Sequence, residues 1–424
     1  MGRTYRDSTL PYPTRTPALA RLAGFTPRPP IPATEMPSSR TEFCIAVLQM
    51  PLTVAGFDSH PATEQPWPTR FQDESESVEI YSRVDAIAAE WDVLADRLDA
   101  GPWDRPDWIS AWQAAFGQGR LHILALRRGE QLAGVLALQA LHGTLCAPTN
   151  WHTPSFAGVF ADAEAATTLI EVALVRTRRH LKVTLAEKDC RFSKTVDRLG
   201  RRADLRTHSR VMARSPYLSL PSDVEAFDAS LTAKRRSGLR RIRRRLADLG
   251  EVSVHVSRGE DRLDELLAEG FAVERSGWKG KRGSAISSQD STRQFYTQIA
   301  HRFARRGWLR LAFLRVEGRA AAFDLAVERA GVHYLLKTGY VEDLRSCAPG
   351  VALRHEMILR SIANGCTSYE FLGSDAPWKR EWTRTVRERL QLHVFRATVP
   401  GRLDQLVVVR ALPAARRVRH RVAR

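Results

Sequence analysis

Between Tyr334 and Trp382 the chain passes through an apolar stretch, YLLKTGY, and a turn at Cys347, Ala348, Pro349 and Gly350. A helical stretch VALRHEMILRSIANG, a second apolar stretch TSYEFLG and the polar segment SDAPWKREW follow. Strand, Pro-Gly helix start, helix and strand in that order make a crossover unit, so this part of the chain builds an α/β layer. The first amide hydrogens of such a helix have no acceptor within it, and with the helix dipole they attract phosphate. The same Pro and Gly also punctuate crossovers that bind nothing.

The surroundings of this unit repeat a theme. From residue 76 the pattern alternates helical and extended stretches. Trp108, Trp112 and Phe116 fall at helical spacing, as a core stripe does. Two strands, LHILALRR and QLAGVLALQA, are joined by a turn at Arg128, Gly129 and Glu130, and the rhythm recurs in LRLAFLRVEG and RAAAFDLAVE around Glu317, Gly318 and Arg319. Two copies of one architecture are expected, in domains of residues 76–215 and 216–400. Residues 1–75 hold 12 of the 22 prolines and lack periodicity, which predicts a disordered extension. Residues 401–424 read as a basic tail.

Five scattered cysteines show no metal or disulfide spacing, so no metal is expected and a reduced, cytoplasmic setting fits. No stretch reaches the length of a membrane-spanning helix. The net charge of +18 favours an anionic partner, whether nucleic acid, acidic lipid, a polyanionic sugar or the phosphates of a nucleotide. Eight Lys or Arg residues between Lys234 and Arg245, interleaved with Leu239, Ile242, Leu246 and Leu249, give a helix with one packing face and one cationic face. That face suits RNA or plain solvent.

Several side chains carry candidate chemistry. Glu370, on the strand face opposite Tyr369, is a carboxylate able to accept a proton, and Lys379 a cation able to stabilise an oxyanion or hold an anion. Asp375 sits between them in sequence; a helix cap is the plain alternative for it. Trp278, Lys279 and Arg282, in a Gly-rich loop, and Trp378 are candidate substrate contacts. His152 follows a strand in a polar turn, where a histidine bonded into its loop is the simpler reading than a general base.

The runs LKTGY, APGVALRHEMI and YEFLGSDAPWKREW, with GWKG and RQFYTQIAHRFARRGWLRLAFL, resemble the CelD-type acyltransferases of the GNAT superfamily, relatives of the Fem peptidoglycan aminoacyltransferases. The resemblance covers residues 215–385 and continues more faintly over 78–214. It implies an α/β (α+β) chain of two tandem GNAT-like domains, each a mixed, largely antiparallel sheet flanked by helices. It also implies transfer of an acyl group, acetyl above all, from acyl-CoA to an amine or hydroxyl, in polysaccharide or cell-envelope synthesis. By that analogy Ala348, Pro349, Gly350 and Val351 face the donor's pyrophosphate. Lys337 and Tyr340 border the acyl group, with Tyr340 near the chemistry, and Asp375 and Lys379 line the acceptor side. The usual donor loop has a basic or Gln residue and spaced glycines, whereas this chain has only APG. An aminoacyl-tRNA donor and a non-catalytic scaffold in polysaccharide assembly therefore stay open as alternatives.

Overall fold

The computed structural model describes residues 76–277, 283 and 285–412, all within one compact unit, Asp58–Arg424. The expected extension 1–75, the candidates Trp278, Lys279 and Arg282, and the arginines beyond residue 412 lie outside the described residues.

The helices are α1 (Ala88–Arg97), α2 (Pro106–Phe116), α3 (Ala163–Arg176), α4 (Arg191–Leu199), α5 (Val224–Ser230), α6 (Ala233–Ala247), α7 (Leu263–Ser276), α8 (Asp290–Arg305), α9 (Pro349–Ala363), α10 (Pro377–Arg380) and α11 (Val399–Leu406). The strands are β1 (Glu76–Tyr81), β2 (Arg120–Arg128), β3 (Gln131–Leu141), β4 (Thr144–Cys146), β5 (Val159–Phe160), β6 (His180–Glu187) and β7 (Leu205–Ser219). The second half adds β8 (Val252–Ser257), β9 (Leu309–Val316), β10 (Arg319–Arg329), β11 (Val332–Tyr340), β12 (Ser368–Glu370) and β13 (Val386–Arg396).

They form one mixed sheet in the order β1-β2-β3-β4-β6-β13-β7-β12-β11-β10-β9-β8, with β5 beside β3. Two pairs are parallel, β4 with β6 and β11 with β12. Read inward from each edge, the halves repeat: three antiparallel strands, a fourth, a crossover helix (α3 or α9) and a parallel fifth. This is the α/β duplication the hairpin rhythm implied. At Glu317 and Gly318 both φ values are positive, at 49° and 72°, so the β9–β10 turn has the twist that tight hairpins need.

The halves are tied by two long strands and a shared core. The fifteen residues of β7 pair with β13 and then with β12. Strand β13, which the sequence reading did not single out, returns from the end of the second half to sit between β6 and β7 in the first. The Trp108–Trp112–Phe116 stripe of α2 packs across the halves: Trp108 meets Phe295 of α8 edge-on at 5.0 Å, and Phe116 meets Phe295 at 5.1 Å.

Candidate active site

Strands β11 and β12 are paired for only three positions, Val332 with Ser368, His333 with Tyr369 and Tyr334 with Glu370. Beyond Tyr334 and Glu370 the strands part. Phe371 turns its amide to Pro216 of β7 (3.0 Å), while β11 stays with β10 up to Tyr340. The result is a fork in the sheet, and α9 starts beside its open end.

A bulge decides what faces each side of the fork. Lys337 pairs with Leu325 and Leu335 with Ala326, leaving Leu336 as an extra residue in β11. A bulge puts two successive side chains on one face. Tyr334, Leu336, Lys337 and Gly339 accordingly face α7, α8 and the first half, and Thr338 and Tyr340 face α9. The Lys337 ammonium lies over the rings of Trp151 (4.7 Å) and Tyr296 (4.9 Å). Gly339 lies so close to α7 that a Cβ there would meet the Glu274 Cα at 2.6 Å. Tyr340 packs on Gly350, 3.5 Å from where a Cβ would stand. The structure thus brings Tyr340 and Gly350 together but sets Lys337, which the resemblance puts beside Tyr340, on the other face, since residues three apart in a regular strand point to opposite sides.

The start of α9 is open. A short 3-10 turn, Glu342–Cys347, leads to Ala348, which has the left-handed backbone (φ 51°, ψ 50°) and caps the helix with no side-chain bond. The amides of Val351 and Ala352 both reach the Ala348 carbonyl (3.0 and 3.3 Å), whereas the Gly350 amide has no acceptor among the described residues. The Pro349 nitrogen carries no hydrogen, so Gly350 alone offers a donor here. The matching helix of the first half is closed: Asp162 accepts from the Ala165 amide at 2.8 Å and is ion-paired with Arg128. A carboxylate therefore caps the helix start in the first half, whereas no side chain caps it in the second.

Behind the fork lies a buried ionic clamp that the sequence reading missed. Arg354 of α9 donates to both oxygens of Asp324 on β10, with Nη2 2.7 Å from Oδ1. It also donates to the Tyr369 hydroxyl of β12 (2.5 Å) and the Thr338 hydroxyl of β11 (3.0 Å). One guanidinium so joins three strands and the helix where the sheet opens. Burial opposes its charge, but Asp324 raises the guanidinium pKa further. The signal was present: Asp324 is the lone acid within AAAFDLAV, and Arg354 falls beside Leu353 on the buried face of α9.

Glu370 faces away from α9 at the crotch of the fork. Its Oε1 accepts from Arg387 Nε (2.7 Å) and Ser368 Oγ (3.3 Å), and its Oε2 is buried with no partner among the described residues. Burial raises its pKa against the pull of Arg387. Lys379 is buried, and its ammonium donates to the carbonyls of Leu372 and Ser374 (2.8 Å to the latter). The lysine expected at an oxyanion therefore holds the turn that follows β12, because three donors on a buried ammonium demand nearby acceptors. Asp375 is bound by Arg380 (2.9 Å), which lowers its pKa, and it caps nothing: Ala376 stands at the start of α10. Trp378 lies edge-on to Phe371 at 5.9 Å and over Arg354 at 5.8 Å. His152 is buried, 3.0 Å from the Tyr296 hydroxyl and 3.3 Å from that of Thr292, a histidine bonded into its surroundings.

Residues 233–380, which contain the fork, α9 and the clamp, match the acetyltransferase (GNAT) domain family. This stretch is a GNAT-superfamily domain. The whole fold is similar to the crystal structure of FemX, with a TM-score of 0.53 at 12% identity over 76% of this chain and 98% of that one. Weaker likenesses are the C-terminal domain of a putative lysylphosphatidylglycerol synthetase from Agrobacterium fabrum (TM-score 0.48, 12% identity, 77% and 97% covered) and a tandem GNAT protein from the clavulanic acid biosynthesis pathway (0.40, 12%, 76% and 99%). No curated protein matches the chain. The GNAT domain thus occupies the half whose crossover helix is left open.

Proposed function

We propose that the chain is an acyltransferase of the CelD type, moving an acyl group, acetyl above all, from acyl-CoA to an amine or hydroxyl of a saccharide or other cell-envelope acceptor. The observation that carries this reading is the contrast between the two crossover helices: Asp162 closes α3, whereas α9 opens on the unpaired Gly350 amide beside a parted pair of strands. The residues fit the donor. A pyrophosphate oxygen would accept from Gly350, and the thioester arm would run into the fork past Tyr340. The edge of β11 and β12 beyond Tyr334 and Glu370 offers main-chain groups no longer paired to each other.

In this reading the acceptor comes from the opposite face, beside Lys337, Trp151 and Glu370. Its nitrogen or oxygen attacks the thioester carbonyl directly, and the carbonyl electrons move onto oxygen, where a main-chain amide holds them. Glu370 takes the acceptor's proton through Oε2. The C–S bond then breaks as the carbonyl re-forms, and the leaving thiolate takes a proton from Tyr340. Lys379 supports the turn after β12, and Asp375 and Trp378 border the same turn. No covalent enzyme intermediate is invoked: burial raises the thiol pKa of Cys146, Cys190 and Cys366, away from a nucleophile's setting.

Acetyl-CoA at a hundredfold its Kd should stabilise the protein by about 2.7 kcal/mol. Gly350→Glu should abolish the shift, since its carboxylate takes the place that Asp162 takes in the first half. Glu370→Gln should keep the shift and lower kcat by roughly 10²-fold or more. An undiminished shift in Gly350→Glu would remove the donor site from this helix. One observation favours an aminoacyl-tRNA donor instead: the arginine-rich α6 adjoins the approach to α9, with Arg245 donating to the Ser346 carbonyl at 3.2 Å. Salt-sensitive tRNA retention without an acetyl-CoA shift would select that donor.

A further inference from the structure

Helix α11 turns an apolar stripe outward. Val399, Leu403 and Leu406 of α11, with Val407 of the π-helical turn that continues it (Val407–Ala411), recur at helical steps and are 73%, 60%, 49% and 37% exposed, and Arg402 and, in that turn, Arg410 are exposed among them. The opposite side of the helix is anchored. Gly401 lies so close to β13 that a Cβ would meet the Arg396 carbonyl oxygen at 2.1 Å. Asp404 is buried, ion-paired with Arg179 and hydrogen-bonded to His180. Thr398 caps the helix by accepting from the Gly401 amide at 3.3 Å, and the Ala397 amide reaches the Asp204 carbonyl at 2.7 Å. Buried polar contacts therefore fix the helix in an orientation opposite to that of an ordinary surface helix, which turns its apolar side to the core.

We infer that this face of α11 docks on an anionic membrane surface. An interfacial helix presents an apolar stripe that enters the acyl boundary and basic side chains that meet the headgroups. The stripe supplies the first, and Arg402 and Arg410 begin the second. In sequence, the twelve residues after Leu412 hold five arginines and no acid. Charge separates this occupant from the alternatives. Residues 1–75 hold seven arginines against seven acids, so they bring no excess negative charge to the face. A second copy would set two basic faces against each other. Among the described residues no helix is long and apolar enough to cross a membrane, so the helix lies on the surface it meets.

Flotation of the full chain with vesicles tests this independently of acyl transfer. With vesicles of phosphatidylcholine and phosphatidylglycerol the protein should float, less so as salt rises, and with phosphatidylcholine alone it should stay behind. Leu403→Asp/Leu406→Asp should weaken binding to the anionic vesicles about tenfold or more while leaving circular dichroism and Tm unchanged, because both side chains face solvent. Equal binding by the double variant would overturn the inference in favour of charge alone. Failure of the wild type to float on anionic vesicles would overturn it outright. A dimer that the double variant turns into a monomer, without vesicle binding, would assign the stripe to a second copy.

Discussion

Replacing Arg354 by Met isolates the energetic core of the fork. The guanidinium is 2% exposed and Asp324 is fully buried. The variant keeps the length of the side chain but strands the carboxylate and removes the bonds that Arg354 donates to the Tyr369 and Thr338 hydroxyls. Breaking a buried pair from one side costs about 3–5 kcal/mol, chiefly because a buried charge loses its partner. Removing both charges, in Arg354→Met/Asp324→Leu, still loses the bonds that Arg354 makes to the two hydroxyls, at about 1 kcal/mol each. The double variant should therefore recover about 1–3 kcal/mol of the single variant's loss. Urea unfolding of the full chain, followed by tryptophan fluorescence, measures both. If Arg354→Met costs less than about 1 kcal/mol, or the double variant is no more stable than the single, the clamp does not hold the fork and the reasoning fails.

Two further outcomes follow from other buried contacts. Burial, with the Lys337 ammonium adding to it, holds the His152 pKa down at about 2. The unfolded chain protonates near 6.5, so the neutral folded form is fully favoured above that pH and loses ground as pH falls toward 2. Between pH 6.5 and 5 this amounts to about 2 kcal/mol. His152→Phe should flatten the stability profile by that amount in this window, and an unchanged slope would refute it. Gly339→Ala should cost roughly 1–3 kcal/mol by chemical denaturation, since its methyl group meets main chain of α7. A neutral result would show that α7 shifts freely from β11.

Much of the architecture was legible because hairpins and crossover helices are local. The Gly turns, the apolar strands and the Pro349–Gly350 helix start each announce themselves within a dozen residues, and the duplication follows from their repetition. Strand β13 was not, because its partners β6 and β7 lie far back in the chain and no local signal says which half it will join. The bulge at Leu336 was equally hidden. It depends on register with β10, and a one-residue shift sends Lys337 to the first half. Lys379 shows a further limit. Its spacing from Glu370 and Asp375 suggested chemistry, but the turn after Leu372 surrounds its ammonium with carbonyls, a fact of tertiary geometry. The Asp324–Arg354 clamp could have been suspected from two charges placed on apolar faces, since such residues are buried only when paired.

The central claim is that the opening of α9 receives the donor's phosphates. Electron density for the protein with acetyl-CoA tests it most directly. The account predicts a pyrophosphate oxygen within hydrogen-bonding distance of the Gly350 amide and the thioester between β11 and β12. Density for the donor elsewhere, with the Gly350 amide turned to protein, would contradict it.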